Sequence, residues 1–172
     1  MTTDGTQSDL GAVRDAARAV IENGCDSRIA ILIDYWLKIQ PANQLPGRDH
    51  FDPLDVPNLL PHLVLVDVER DPYRFRCRLM GTTVVKAFRN DLTGCYMDEV
   101  LDGFNESNAY HFRVQVAETW MPGYYRGPAT LSFALDYSDV EYIHLPLASD
   151  GETVDMILSA FIYLGDALYR DG

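Results

Sequence analysis

Residues 63–80 read LVLVDVERDPYRFRCRLM, and this stretch indicates the fold class. The first part, residues 63–69, is rich in valine, and residues 73–80 alternate between apolar side chains and arginine. A period of two is typical of a strand with one buried face. The Asp-Pro pair at 71–72 favours a turn between the two parts. We therefore predict two antiparallel strands joined as a hairpin.

Two amphipathic helices are predicted before the hairpin. In the first, apolar residues recur at every third or fourth position from Leu10 to Ile21, after a candidate N-cap at Ser8. The second covers residues 27–39 and ends before Pro41, because the residue that precedes a proline is driven out of the helical conformation. A short helical turn capped by Asp55 is expected between this helix and the hairpin.

After the hairpin, the sequence predicts short helices followed by three more strands. The helical segments are expected at residues 83–88, 97–101 and 105–121. The strands are expected at residues 127–136, 141–147 and 153–165. Because strands and helices are segregated along the chain, the predicted class is α+β. The expected architecture is a five-stranded antiparallel sheet with short helices on one face and additional N-terminal helices.

Composition excludes several classes of function. The chain has 172 residues and a net charge of −12, from 14 basic and 26 acidic side chains. An acidic protein is poorly suited to bind nucleic acid or an anionic membrane surface. No signal-peptide pattern or membrane-spanning apolar run occurs in the sequence. Cys25, Cys77 and Cys95 form no CxxC pair, so a reducing cytoplasm is the expected location.

Several short motifs follow one another along the chain. They are Tyr35-Trp36, Leu45-Pro46-Gly47-Arg48, Asp52-Pro53-Leu54-Asp55-Val56-Pro57, Leu59-Leu60-Pro61-His62-Leu63, Phe75-Arg76-Cys77-Arg78-Leu79-Met80-Gly81-Thr82, Asp91-Leu92-Thr93-Gly94 and Leu145-Pro146-Leu147. With the order of the elements, they resemble the PAS domain, and in particular a family of short stand-alone bacterial PAS proteins of the alphaproteobacterial type. The resemblance extends from about residue 27 to 165.

This resemblance implies a sensory or regulatory module without a defined enzymatic activity. Such a module binds a small ligand or a protein partner. We expect an N-terminal tail and helix over residues 1–26, a PAS-like domain over 27–166 and a C-terminal tail over 167–172. Only a few residues follow the last predicted strand, so any output is expected to act in trans. The alternative is a protein-interaction or dimerisation adaptor whose cavity is filled by side chains.

A ligand cavity is expected between the sheet and the short helices. The expected lining comes from alternate strand positions and from two helical residues: Phe75, Cys77, Leu79, Leu131, Phe133, Ile143, Leu145, Phe88 and Met97. The same residues are also what an ordinary packed core contains, and only the Cys77 thiol among them is polar. Tyr142 and His144 are expected on the opposite face of their strand.

Catalytic and metal-binding motifs are missing from the sequence. It contains no GxGxxG loop, no GxxxxGK[ST] loop and no GxSxG elbow. No two of its histidines stand three or four positions apart; they are His50, His62, His111 and His144. Cys77 lies mid-strand, where a buried thiol is usually inert. We therefore expect no enzyme, no metal site and no cofactor.

The first helix is one candidate surface for a partner. Its apolar stripe consists of Leu10, Val13, Ala17 and Val20, and must be buried against something. It either packs on the chain's own sheet or lies between two protomers. The resemblance favours the second, since a helix that precedes a PAS domain often packs across a dimer interface. A homodimer is therefore expected.

A stripe of arginines is the second candidate surface. Arg74, Arg76 and Arg78 project from one face of a strand in an otherwise acidic chain. One interpretation pairs them with acidic neighbours such as Asp67 or Glu141 across the sheet. The other makes them a docking strip for an acidic partner or a second protomer.

Overall fold

The computed structural model describes residues 9–129 and 139–165, and within them the predicted α+β class is confirmed. The strands are β1 (Leu63–Glu69), β2 (Arg74–Met80), β3 (Gly123–Pro128), β4 (Asp139–Leu147) and β5 (Met156–Leu164). The helices are α1 (Asp9–Glu22), α2 (Ser27–Ile39), α3 (Thr82–Phe88), α4 (Met97–Val100) and α5 (Asn108–Thr119). Short 3₁₀ helices cover Arg48–His50, Pro53–Asp55, Pro57–His62 and Phe104–Glu106. The strands form one antiparallel sheet in the order β2-β1-β5-β4-β3.

Local sequence explains where the early helices begin. The Asp26 carboxylate accepts a hydrogen bond from the backbone N–H of Arg28 at 2.9 Å, which satisfies a donor in the first turn of α2. The predicted cap at Asp55 is wrong. The 3₁₀ helix that contains Leu60 is Pro57–His62, and Val56 before it gives no side-chain cap. Asp55 ends the preceding turn, Pro53–Asp55, in which Asp52 accepts a hydrogen bond from Leu54 N at 2.9 Å. The candidate cap of α1 at Ser8 lies outside the described residues.

Helices cover both faces of the sheet. On one face, α2 buries Ile29, Leu32 and Trp36 against the sheet, and the Trp36 indole N–H donates to Pro146 O at 3.0 Å. Helix α1 packs on α2. The other face is covered by the helices between β2 and β3. The central strands β4 and β5 are therefore buried on both sides, which removes the alternation of buried and exposed positions.

A β-bulge interrupts the alternation of β2. Leu65 pairs with Leu79 while Val66 pairs with Cys77, so Arg78 is one extra residue on the β2 side. An extra residue reverses the facing of every position that follows it. Met80 consequently shares the face of Cys77.

The later elements are shifted from their predicted limits. Helix α5 begins at Asn108 instead of 105, because the Ser107 hydroxyl accepts a hydrogen bond from Tyr110 N at 3.3 Å and a separate 3₁₀ turn precedes it. It ends at Thr119, where Trp120 adopts a left-handed conformation with φ of 65°. Strand β3 lies at Gly123–Pro128, and residues 130–136 of the predicted strand lie outside the described residues.

Candidate functional site

A cavity of about 60 Å³ lies between the sheet and the helices that connect β2 to β3. Side chains from all five strands and from α3, α4 and α5 form its walls. Most of these side chains are apolar, and Val64 from β1 and Val84 from α3 are examples. By the same measure one water molecule needs on the order of 15 Å³, so the cavity has room for a few small groups.

Three of the predicted lining residues lie at this cavity. Cys77 reaches it from β2, Phe88 from α3 and Met97 from α4. Phe75 does not line the cavity. It is buried beside it, with its ring edge-on to the rings of Phe104 and Tyr110 at centroid distances of 6.3 and 5.8 Å.

Leu79, Ile143 and Leu145, which were also predicted to line the cavity, do not line it. Leu79 turns to the other face because the bulge at Arg78 shifts the phase of β2, and Met80 takes its place at the cavity. Ile143 and Leu145 are fully buried on the side of the sheet that α2 covers. The remaining predicted lining residues, Leu131 and Phe133, lie outside the described residues.

Sequence reasoning missed the polar part of the cavity wall. Tyr142 and His144 line the cavity from β4, and Arg113 lines it from α5. They were missed because β4 was treated as a strand with a single buried face, whereas it is buried on both. The sequence feature that could have identified Arg113 is its spacing from the buried residues of α5. It stands four residues after Ala109 and three before the buried Val116, on the apolar stripe of α5.

Arg113 is a buried cation. Its side chain is 5% exposed, and its Nη1 donates to Ala109 O in the preceding turn at 3.0 Å. Its Nε has no hydrogen-bond partner among residues 9–129 and 139–165. The guanidinium carbon stands 6.0 Å from the centre of the Phe104 ring. Burial in these surroundings lowers the pKa of Arg113 to about 10, which leaves it charged at neutral pH.

His144 is held neutral beside it. The side chain is 1% exposed, and its Nδ1 forms a 2.5 Å hydrogen bond with Ser159 Oγ on the paired strand β5. Burial, and to a smaller extent the Arg113 charge, hold the pKa of His144 well below its ordinary value. The imidazole is therefore uncharged at neutral pH.

Two further titratable groups of the cavity wall, Tyr142 and Cys77, are neutral as well. Burial raises the pKa of Tyr142, and burial with the nearby Asp91 charge raises the pKa of Cys77 to about 11. A protonated thiol is a poor nucleophile. Within the part of the chain that the structure describes, Arg113 is the one charged side chain in the cavity wall. This arrangement can bind and orient an anionic group.

Comparison with known families agrees with the fold. The profile of the family described as PAS domain matches residues 26–162, which is most of the chain. The chain belongs to the PAS-domain family. PAS domains are generally sensory or interaction modules. No curated protein matches the chain.

The N-terminal helices of this PAS domain are joined to β4 through Glu141. Glu141 is 2% exposed, and its Oε1 accepts hydrogen bonds from Asp26 N at 2.8 Å and from the Tyr124 hydroxyl at 2.7 Å. Burial and this carboxylate together raise the pKa of Tyr124 to about 12. The next residue along the strand, Tyr142, faces the cavity. Strand β4 therefore contacts the α1–α2 junction on one face and the cavity on the other.

The arginine stripe of the PAS domain is largely paired within the chain. Arg74 forms ion pairs with Asp98 at 3.0 Å and with Glu99 at 2.9 Å, and it lies 3.8 Å from the centre of the Tyr96 ring. The remaining two arginines are also engaged. Arg78 pairs with Asp67 at 2.9 Å, and the Arg76 Nε donates to Gly94 O at 3.3 Å. Asp67 is thus a partner as expected, whereas Glu141 is not, because it is buried in its own hydrogen-bond network.

The stripe on α1 is also used within the chain. Leu10, Val13 and Ala17 are buried in a single copy of the protein, and Val20 is half-buried against the same core. While α1 stays docked on α2, these residues are not available to a second protomer. A homodimer stays a prediction, and with α1 docked in this way its interface would have to use other residues.

Two further properties concern metals and membranes. Within residues 9–129 and 139–165, no three His, Cys, Asp or Glu side chains come together in a way that could hold a metal ion. In the same residues, no helix has both the length and the apolar character needed to cross a bilayer.

Proposed function

We propose that this PAS domain is a sensory module that binds a small ligand in the cavity between its sheet and helices α3 to α5. The observation that carries the proposal is the convergence of Arg113, Tyr142 and His144 on one largely apolar cavity. A ligand site needs an apolar enclosure and a few well-placed polar groups. A core filled only by side chains has no need of a buried arginine.

The proposed mechanism is a shift between two arrangements of the helices around the sheet. A ligand favours whichever arrangement it binds more tightly, and the population moves accordingly. Strand β4 supplies a physical route, because Tyr142 faces the cavity while Glu141 holds Asp26 at the start of α2. In this proposal the output acts in trans, through a partner that recognises the changed helix surface.

The first experiment looks for the ligand. The full chain is purified without denaturation, then denatured, and the released small molecules are identified by mass spectrometry. We expect at least one molecule in near-stoichiometric amount, or one metabolite from a screened panel that raises the melting temperature. A ligand at 100 times its Kd stabilises the folded state by about 2.7 kcal/mol. For a chain of this size that is an increase of roughly 5–10 °C.

A matched pair of variants tests whether the cavity is the site. Ala109→Leu adds three carbon atoms to the cavity wall, whereas Ala12→Leu makes the same change at an exposed position on α1. We expect the response to ligand to disappear in Ala109→Leu and to persist in Ala12→Leu. If the wild-type protein retains no small molecule, responds to none and yet binds a partner protein, the adaptor interpretation is correct and the proposal is wrong.

A further inference from the structure

The charge of Arg113 has no counter-ion in the described part of the fold. The guanidinium is buried in the cavity wall, yet the ion pairs among residues 9–129 and 139–165 do not include it. One of its donors is bound to Ala109 O, and Nε is bound to nothing in those residues. A buried cation without an anionic partner is unfavourable, and an apolar side chain of similar volume would suit stability better. Contacts among the described residues therefore do not explain an arginine at this position.

The ligand that suits this cavity carries a charge opposite to that of the cavity wall. Along the described lining there is no Asp or Glu, and His144, Tyr142 and Cys77 are neutral at neutral pH. The part of the wall that the structure describes thus carries a single positive charge, at Arg113. A monoanion neutralises that charge, whereas a cation would be repelled and a dianion would leave one negative charge in apolar surroundings.

Shape and polarity narrow the ligand further. A guanidinium presents two parallel N–H donors to the two oxygens of a carboxylate, which is a planar and bidentate arrangement. The rest of the wall is mainly apolar, so the rest of the ligand has few polar atoms. A phosphate ion does not fit this description, because each of its four oxygens needs a hydrogen-bond partner.

We propose that Arg113 binds the carboxylate of a short-chain monocarboxylic acid, whose apolar part packs against the strands and helices of the cavity wall. This inference rests on the proposed function and names the class of its ligand. The volume of about 60 Å³, which is room for about four water molecules by this measure, points to acids of two or three carbons. Benzene, for comparison, occupies an apolar cavity of about 150 Å³.

The test compares acids with their amides on the wild-type protein. Acetate, propionate and butyrate are titrated against acetamide, propionamide and butyramide at one ionic strength, by calorimetry and by thermal shift. Each amide has the shape of its acid but lacks the charge. We expect at least one acid to bind about 100-fold more tightly than its amide, as a buried ion pair implies. Inorganic phosphate and sodium chloride serve as anion controls and should give no comparable response.

Variants of Arg113 provide a second measurement. Arg113→Met keeps most of the side-chain volume and removes the charge, so it should lose about 100-fold in affinity for the acid and none for the amide. Arg113→Lys keeps the charge without the planar fork and should lose about 10-fold. Arg18→Met, on the exposed side of α1, is the matched control and should bind like wild type. We also expect Arg113→Met to melt at a higher temperature than wild type without ligand.

The outcomes separate this inference from the proposed function. Amides that bind as tightly as acids, or tight binding of acids to Arg113→Met, would overturn the role of Arg113 while the cavity remains a ligand site. Phosphate that binds more tightly than every acid would also overturn the carboxylate assignment. If no panel compound binds and no molecule is retained on purification, both proposals fail. The comparison of acids with amides needs no variant, so it remains decisive even if an Arg113 variant does not fold.

Discussion

Replacing Gly81 by alanine should destabilise the protein by a purely steric effect. Gly81 joins β2 to α3, and its N–H donates to Leu63 O at 2.8 Å. Its φ of −65° and ψ of 155° are open to every residue, so backbone strain plays no part. A Cβ at this position, however, would stand 2.5 Å from the carbonyl carbon of Pro61, with the carbonyl oxygens of Leu60 and Pro61 closer still.

The magnitude follows from what has to move. Real Cβ atoms essentially never approach within 3.0 Å of such atoms, so the Pro57–His62 turn or the start of α3 must shift by more than 0.5 Å to clear the two oxygens. All the obstructing atoms belong to the backbone, which places the change at the upper end of the overpacking range, about 3 kcal/mol. The smaller entropy of the unfolded alanine variant offsets about 0.4–1 kcal/mol. We expect a net loss of about 2 kcal/mol, or roughly 4–8 °C in melting temperature.

A second glycine gives a control of opposite sign. Gly11 lies in α1 with nothing within 4 Å of its would-be Cβ, so Gly11→Ala should stabilise by about 0.5–1 kcal/mol through helix propensity alone. Both variants are measured by urea and thermal denaturation of the full chain. A Gly81→Ala protein within about 0.5 kcal/mol of wild type would refute the packing described for this corner. Because Met80 and Val84 flank the corner and line the cavity, the response to ligand should weaken in the same variant.

Three further outcomes are expected. Tyr124→Phe should destabilise the protein by about 1.5–3 kcal/mol, because the Tyr124 hydroxyl donates to a buried carboxylate. Tyr125→Phe loses an exposed hydrogen bond to a backbone carbonyl and should cost less. Urea denaturation compares the two variants, and equal losses of stability would contradict the assignment. Since the pKa of His144 is lower in the folded than in the unfolded state, stability should fall as pH drops below about 6.5, by up to about 1.4 kcal/mol per unit. His144→Gln should flatten this slope, and an unchanged slope would exclude His144 as its source. At low salt, Arg74→Ala should lower the melting temperature more than Arg76→Ala, because only Arg74 loses two ion pairs. The difference between the two melting temperatures should become smaller in high salt. A difference that does not depend on salt would show that the ion pairs of Arg74 contribute nothing.

Local sequence patterns predicted the helices and strands whose limits depend little on contacts with distant parts of the chain. The β1–β2 hairpin and α2 have their expected places, because an Asp-Pro turn, a valine-rich run and the Pro41 stop are all encoded nearby in sequence. The bulge at Arg78 was not predictable in this way. It depends on how β1 and β2 register against each other, and this register exists only after the sheet has formed.

The candidate site was predicted less well than the fold, and β4 shows why. Residues 139–147 contain both Ile143 and Leu145 at odd positions and Tyr142 and His144 at even positions, so alternation alone does not show which set faces the short helices. The prediction took the more apolar set to face the cavity, whereas α2 covers that face in the structure. The predicted α1 and α2 already required an apolar surface to pack on. Assigning the most apolar strand face to them would have left Tyr142 and His144 for the cavity.

Coverage of both faces by helices makes the two sides of β4 experimentally separable. Changes at Glu141 act on the junction with α2 and leave the cavity wall intact, whereas changes at Tyr142 act on the cavity wall and leave the Asp26 bond intact. If the two faces are energetically coupled, ligand affinity and the docking of α1 and α2 must depend on each other to the same extent, since coupling between sites is reciprocal. A ligand that binds more tightly when Glu141 keeps its two hydrogen bonds must in turn stabilise those bonds, so it should protect the Asp26 N–H from hydrogen exchange. Hydrogen exchange at Asp26 with and without ligand therefore tests whether β4 couples the cavity to the opposite face of the sheet.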